Sequence, residues 1–268
     1  MLSKPTVLKQ ACSWLYRLRR GRREALAMRG LYTEWSLAQA ASGGYDQEHI
    51  LAKTLAAALA VKSGRARYER DTILFHDSAA CYPMLALALW LASGQDGNLK
   101  VLDYGGSLGS QYFQHLGFFQ NLKALHWSVV EQRGVVQAGN THLANRQISF
   151  HEHLESACAD GVPDLIMLGS VLQYLPHPHE TLSDLFALGS KCLFIDRTPF
   201  WAGDQHLISV QHVPEEIYRA SYPCWIFSKP LFASSIPENY RELDHFANDD
   251  WMPAPVQYAY EGHIYVKK

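Results

Sequence analysis

The sequence predicts an α/β protein: a mostly parallel sheet with helices on both faces. Three observations predict it. From residue 98 onward short β-rich runs alternate with helical stretches, the pattern of strand–helix–strand crossover units. One of those runs, Leu165-Ile166-Met167-Leu168, is continuously apolar, as a strand buried on both faces must be. The first run, Leu99 to Asp103, leads into a glycine-rich turn that opens a helix, a context that nucleotide-binding turns require.

The elements follow in order. Residues 1–30 carry Lys4, Lys9, Arg17, Arg19, Arg20, Arg22, Arg23 and Arg29 against Glu24 alone, so this stretch holds +7 and leaves −9 for the rest. Leu8, Cys12, Leu15 and Leu18 fall at near-helical spacing beside those charges. Residues 1–30 therefore read as a basic helix or tail. It either lies on an anionic membrane surface or an acidic partner, or is a solvated terminus. Residues 31–97 read as a helical cap. Ala52 to Val61 is rich in helix-forming Ala and Leu, and Tyr82 to Ser93 is apolar nearly all round and reads as a buried helix. The turn cluster Ser93-Gly94-Gln95-Asp96-Gly97-Asn98 closes the cap.

Residues 98–268 form the main domain. Strands are predicted at Leu99–Asp103, His126–Glu131, Gln147–His151, Asp164–Gly169 and Lys191–Asp196, with helices at Gly109–Phe119, Gly134–Ala144 and His179–Leu188 between them. Residues 197–237, rich in aromatics, Pro and Ser, read as a long irregular insertion on the substrate side with one or two short helices. Tyr240–Phe246 and Tyr258–Val266 close the sheet as a pair of β-favouring strands.

Composition narrows the function classes. With 268 residues, 48% hydrophobic and 19% charged, the chain buries enough apolar surface to order itself. A net charge of −2 excludes nucleic-acid binding by bulk basicity. Five scattered cysteines without a C-x-x-C pair argue against a disulfide framework and a structural zinc site, and for a reducing compartment. The longest apolar run, Met84 to Ala92, is far short of the roughly 20 residues of a membrane span. The start lacks the pattern of a secretory leader. The expectation is a cytoplasmic protein, with peripheral contact at the inner membrane face if the basic tail makes one.

Val101-Leu102-Asp103-Tyr104-Gly105-Gly106-Ser107-Leu108-Gly109-Ser110 carries the functional signal. The dinucleotide template G-x-G-x-x-G fits poorly, because serine stands at 107 and 110. The template acid-x-G-x-G-x-G matches at Asp103, Gly105 and Gly109, with Ser107 in place of a glycine. That template suits S-adenosylmethionine, which brings an ammonium and a carboxylate rather than a pyrophosphate. Asp103 is expected to offset the ammonium, while N–H groups of the turn, including Gly106, and of the helix start receive the carboxylate. Glu131 lies 22 residues past Gly109 at the end of the second strand, where an acid accepts two ribose hydroxyls. Gln132 and Ser170 join the cofactor side.

The stretch from Trp35 to Lys268 resembles a bacterial family of class I, S-adenosylmethionine-dependent methyltransferases whose genes often lie among those for surface-polysaccharide synthesis. The resemblance rests on Ser42-Gly43-Gly44-Tyr45-Asp46, Asp103 to Ser110, Trp127 to Gln132, Ser170 to Leu175, Ile195 to Phe200 and Ser221-Tyr222-Pro223. It implies a Rossmann-like class I methyltransferase fold and no particular substrate.

Methyl transfer needs an acceptor held in line and water excluded. A hydroxyl acceptor also needs a base. Asp196 is the candidate base, or the group that orients one. Arg197 is a candidate bidentate clamp for an anionic acceptor, or else the two side chains brace the insertion. His177 or His179 is a second candidate base. Gln173, Tyr174, Gln211, Tyr222 and Trp225 are expected to line the acceptor side, with Tyr222 and Trp225 stacking on a sugar ring or packing the insertion. Metal binding at His151-x-His153 or His177-Pro178-His179 is not expected, since neither pair brings convergent partners. The favoured reading is O-methylation of a sugar or sugar-linked precursor. The alternatives are a non-catalytic subunit of the same fold that binds a partner in polysaccharide assembly, and, more weakly, a nicotinamide-dependent enzyme.

Overall fold

The predicted alternation builds one ten-stranded sheet and a separate two-stranded hairpin. The structure, a computed structural model, describes residues 26–43, 47–77, 79–214, 217 and 220–268. From the N-terminus the elements are β1 (Ala27–Tyr32), α1 (Trp35–Ala40), α2 (Gln47–Lys62), the hairpin β2 (Tyr68–Arg70) and β3 (Ile73–Phe75), and α3 (Tyr82–Ser93). There follow β4 (Asn98–Tyr104), α4 (Ser110–His115), β5 (Ala124–Val130), α5 (Arg133–His142), β6 (Ile148–His151), α6 (Leu154–Ala157), β7 (Leu165–Gly169), α7 (Pro178–Ala187) and β8 (Cys192–Trp201). The chain closes with β9 (Leu207–Val213), β10 (Ala220–Ser228), α8 (Lys229–Ser234), β11 (Tyr240–Ala247) and β12 (Ala259–Lys267).

The five strands β6-β5-β4-β7-β8 are parallel, β12 runs antiparallel beside β8, and β11 pairs antiparallel with β12. This order, with its one reversed strand, is the Rossmann-like class I methyltransferase arrangement. Side chains alternate across the sheet, so each strand feeds two cores. Val101, Trp127, Val129, Met167 and Phe194 pack under α2, α3, α4 and α5. Leu102, Ile166, Leu168, Leu193 and Ile195 pack under α7 and α8. Chain order reverses direction between β4 and β7, the place where open α/β sheets bind ligands.

Four expectations need correction. Residues 197–237 are not irregular: β8 continues to Trp201, and β9 and β10 form an antiparallel ribbon that extends the sheet. Proline hid this ribbon in the sequence. Pro223 is tolerated because β10 has β9 along one side and meets β8 only at Phe227 and Ser228, an edge position where a missing N–H costs no ladder bond. The boundary at residue 30 falls inside β1, which pairs with β9 across some 180 residues of chain. The cap is not purely helical, since β2 and β3 stand between α2 and α3. And α3 buries Met84, Leu85, Leu87, Ala88, Leu91 and Ala92 but exposes Tyr82, Leu89 and Trp90. The basic helix expected at the N-terminus lies outside the described residues up to residue 25, as do positions 44–46 of the Ser42–Asp46 motif. No helix of the described residues is long and apolar enough to cross a membrane.

Candidate functional site

The site forms at the carboxyl ends of β4, β5, β7 and β8. Backbone strain gathers there. Gly105, Ser107 and Gly109 of the turn all have positive φ (71°, 53° and 78°). Six described non-glycine residues have positive φ, and five of them, Ser107, Ser170, Arg197, Asp71 and Thr72, border this region. Such strain persists where the surrounding structure over-determines it, often at functional sites. At Gly105 a Cβ would overlap the Val171 side chain, so both the conformation and the space require glycine.

Glu131 stands as expected at the end of β5. Its Oε1 accepts from the Ser107 N–H (3.2 Å) and its Oε2 from the Gln132 N–H (2.9 Å). The carboxylate therefore fixes the strained turn, and each oxygen keeps a lone pair for another donor. Burial raises its pKa, and the two N–H bonds work against that rise. Gln132 contributes through its backbone, while its side chain is exposed. The Gly106 N–H donates to no described backbone carbonyl.

Asp103, expected to offset the cofactor ammonium, is buried. It is 1% exposed, its Oδ2 accepts from the Trp127 indole N–H (3.1 Å), and a Cβ on Gly106 would lie 2.7 Å from its Oδ1. The carboxyl is thus enclosed between Gly106 and Trp127 and nearly without exposed surface. Desolvation pushes its pKa up to about 7, with the Trp127 bond opposing and Glu131 adding to the rise. The folded chain therefore holds a proton that the unfolded chain releases near pH 4. Stability is expected to fall as pH rises from about 4 to 7, by about 3–4 kcal/mol in total. Asp103→Asn should remove that slope in thermal melts taken across the window, and an unchanged slope would refute the assignment.

On the acceptor side, Asp196 and Arg197 lie in a β-bulge. Thr198 pairs with Glu261 and Ile195 with His263, so both residues oppose Gly262 alone. Bulges re-aim side chains at sheet ends. Asp196 is 6% exposed, its Oδ1 accepts from the Arg197 N–H (3.0 Å) and Asn248 Nδ2 (3.1 Å), and its Oδ2 has the Cys81 thiol at 3.9 Å. Burial raises the Asp196 pKa most, and Arg197 counters it. Arg197 is not a free clamp. Its Nε and Nη2 reach the two oxygens of Asp250 at 2.8 and 3.2 Å, and Arg70 Nη1 approaches the same carboxylate at 3.7 Å. That pairing lowers the Asp250 pKa against the burial that raises it.

The other acceptor-side residues divide. Gln173 is fully buried; its Nε2 donates to Ser170 Oγ (3.0 Å) and to the Arg197 carbonyl (3.2 Å), leaving Oε1 unpartnered. Since a carbonyl only accepts, the amide orientation is fixed. Tyr174 donates to Gln211 Oε1 (3.0 Å), and Gln211 Nε2 donates to the Tyr222 hydroxyl (3.4 Å), while the two tyrosine rings meet edge to face at 5.2 Å. These three form one linked group. Trp225 is not open for ring stacking: it stacks between Trp35 and Phe227, and its indole donates to the Leu175 carbonyl (3.0 Å). It fixes α1 and the ribbon to the sheet. His177 is exposed, with its ring 3.9 Å from Glu180, and among the described residues no bond ties it to the Asp196 cluster. Among the described residues no group of three or more His, Cys, Asp and Glu side chains is placed to hold a metal.

Sequence reasoning missed the hairpin β2–β3. Glu69, 7% exposed, accepts from the Ser110 hydroxyl beside the glycine turn and from the Thr72 N–H (3.3 Å). Arg70 reaches Asp250, and Asp71 acts electrostatically on Arg197. The hairpin thus touches both halves of the site. Its two-residue turn, Asp71-Thr72, takes positive φ at both positions without a glycine, so the usual hairpin signal is absent.

No family model and no curated protein sequence matches the chain. Among solved structures it is similar to the N-terminal domain of EvdMO1 in the presence of SAH and D-fucose (14% identity, 84% of this chain and 98% of that chain, TM-score 0.47). It is also similar to magnesium protoporphyrin IX methyltransferase from Synechocystis PCC 6803 with bound SAM (14%, 81% and 97%, TM-score 0.45). A third is CalS10, an amino pentose methyltransferase from Micromonospora echinaspora (8%, 78% and 97%, TM-score 0.45). The fold itself rests on the strand order described above.

Proposed function

We propose that the chain is an S-adenosylmethionine-dependent methyltransferase that transfers the methyl group to a hydroxyl of a sugar or sugar-linked small-molecule precursor. The observation that carries the cofactor reading is Glu131. Its carboxylate closes the strained turn at the switch point of the sheet and keeps lone pairs for the two ribose hydroxyls. The free Gly106 N–H supplies a donor for the cofactor carboxylate. Bound there, S-adenosylmethionine supplies an activated sulfonium methyl, so the protein's work is to position the acceptor and manage its proton. Asp196 Oδ2 takes the hydroxyl proton; Oδ1 stays fixed by Asn248 and the Arg197 N–H. Gln173, Tyr174, Gln211 and Tyr222 stand on the acceptor side. Arg197, neutralised by Asp250, favours an uncharged acceptor over an anionic one. The sugar class and the link to surface polysaccharide rest on the sequence resemblance.

The test is calorimetry with S-adenosylmethionine, S-adenosylhomocysteine and NADH titrated separately. Micromolar binding of the first two with no heat from NADH is expected. Glu131→Ala should then weaken both about 100-fold, as loss of two charge-assisted hydrogen bonds implies, with the fold retained by circular dichroism. Silence from all three ligands would turn the reading toward a partner-binding subunit of this fold.

A further inference from the structure

We infer that Glu69, on the cap hairpin, receives the α-ammonium group of the cofactor, a role the sequence pattern assigns to Asp103. This rests on the cofactor reading above. The argument runs through the carboxylates around the turn. Asp103 is buried, packed against Gly106 and already bonded to Trp127, so its carboxyl has almost no exposed surface to offer a ligand lying on the turn. Glu131 holds two N–H groups at the end of β5 and faces the ribose position. Asp196 lies in the bulge on the acceptor side, tied to Asn248. Glu69 is the remaining carboxylate placed at the turn: its Oε1 is bonded to Ser110, the residue that follows Gly109.

Its surroundings offer no ion-pair partner: Arg70 acts on it electrostatically, but Asp71 opposes that effect. Glu69 is 7% exposed, and its two donors are a hydroxyl and one N–H at 3.3 Å. Among the described residues no Lys, Arg or His forms an ion pair with it; Arg70, its neighbour in sequence, is directed to Asp250. Burial disfavours the charged form of Glu69, and a carboxylate buried without an ion-pair partner is costly to ionise unless a cation arrives. Two donors also leave lone pairs unfilled on a group that accepts about four. An ammonium answers both needs, and it is the one cationic nitrogen the cofactor brings. The same hairpin sends Arg70 to Asp250, which holds Arg197, so an ammonium on Glu69 fixes the hairpin over both halves of the site.

The experiment compares three ligands on wild type, Glu69→Gln and Ser110→Ala by calorimetry. S-adenosylhomocysteine carries the ammonium. Its deaminated analogue lacks only that group, and 5′-methylthioadenosine lacks the whole amino-acid part. Wild type is expected to bind the deaminated analogue at least about tenfold more weakly than S-adenosylhomocysteine. Glu69→Gln should remove that difference by weakening S-adenosylhomocysteine alone, with methylthioadenosine within about twofold of wild type. Ser110→Ala, which frees the hairpin but keeps the charge, should preserve the difference. Equal affinity of wild type for the deaminated and parent ligands overturns the inference, and so does a uniform loss for all three ligands in Glu69→Gln. The first of these is read on wild type and does not depend on the variant folding. If wild type binds none of the three, the cofactor reading falls and takes this inference with it.

Discussion

Asp196→Asn lowers turnover on a hydroxyl acceptor by about a thousandfold, within the range that a positioned general base supplies. The substitution is isosteric. The amide oxygen still accepts from the Arg197 N–H and Asn248 that now hold Oδ1, so the melting temperature should change little. What disappears is the basic lone pair at Oδ2, the oxygen that the Cys81 thiol approaches at 3.9 Å. Affinity for S-adenosylhomocysteine should stay within about threefold, because the proposed cofactor contacts at the glycine turn, Glu131 and Glu69 do not involve the Asp196 carboxylate. The pH profile gives a second reading. Burial favours the protonated form of Asp196 and raises its pKa, and only the ionised form accepts a proton. Activity should therefore climb with pH through a midpoint above the ordinary carboxylate range, and the Asn variant should lose that limb. Turnover within fivefold of wild type would reduce Asp196 to a brace for Asn248 and the bulge.

Gly105→Ala costs stability and cofactor affinity together. The position has φ of 71°, and an added Cβ would overlap Val171. A left-handed conformation costs an L-residue about 1–2 kcal/mol, and forcing a methyl into packed space adds about 1–3 kcal/mol. A loss of about 3–4 kcal/mol follows, a large share of the stability of a typical domain. Val171 begins the segment after β7 that carries Gln173, so relief of the overlap moves the turn and the acceptor wall together. Chemical denaturation should show the loss, and S-adenosylhomocysteine affinity should fall with it. Val171→Ala in the same chain should recover part of the stability by removing the overlapping methyl groups, but not the cost of the left-handed backbone. Full recovery would show that φ carries no strain here.

Ser107 shows how local rules and tertiary context divide. The motif calls for glycine, the chain supplies serine, and the backbone still takes a left-handed φ of 53° because Glu131 accepts its N–H. The turn was legible from Asp103, Gly105 and Gly109 despite that mismatch. The ribbon was not. β9 and β10 carry strand-like residues, but Pro223 and the pairing of β9 with Ala27–Tyr32 at the far end of the chain hide them from any local window. The roles of Arg197 and Trp225 were open at the sequence level for the same reason: Asp250 and Trp35 are their partners, and neither is near them in sequence.

Sequence alone determined the α/β class, the alternation of the central strands with helices, the glycine turn and the acid at the end of the second parallel strand. Those features follow from local periodicity and from short-range turn chemistry, which a chain carries in its own order of residues. Tertiary structure decided which charges are buried and which are paired. It buried Asp103 against Trp127, paired Arg197 with Asp250, left the Gln173 carbonyl without a donor, and set Glu69 against Ser110. Burial and ion pairing depend on side chains brought together across tens to hundreds of residues. The same carboxylate is a ligand or a structural strut according to what surrounds it, and only the folded chain supplies the surroundings.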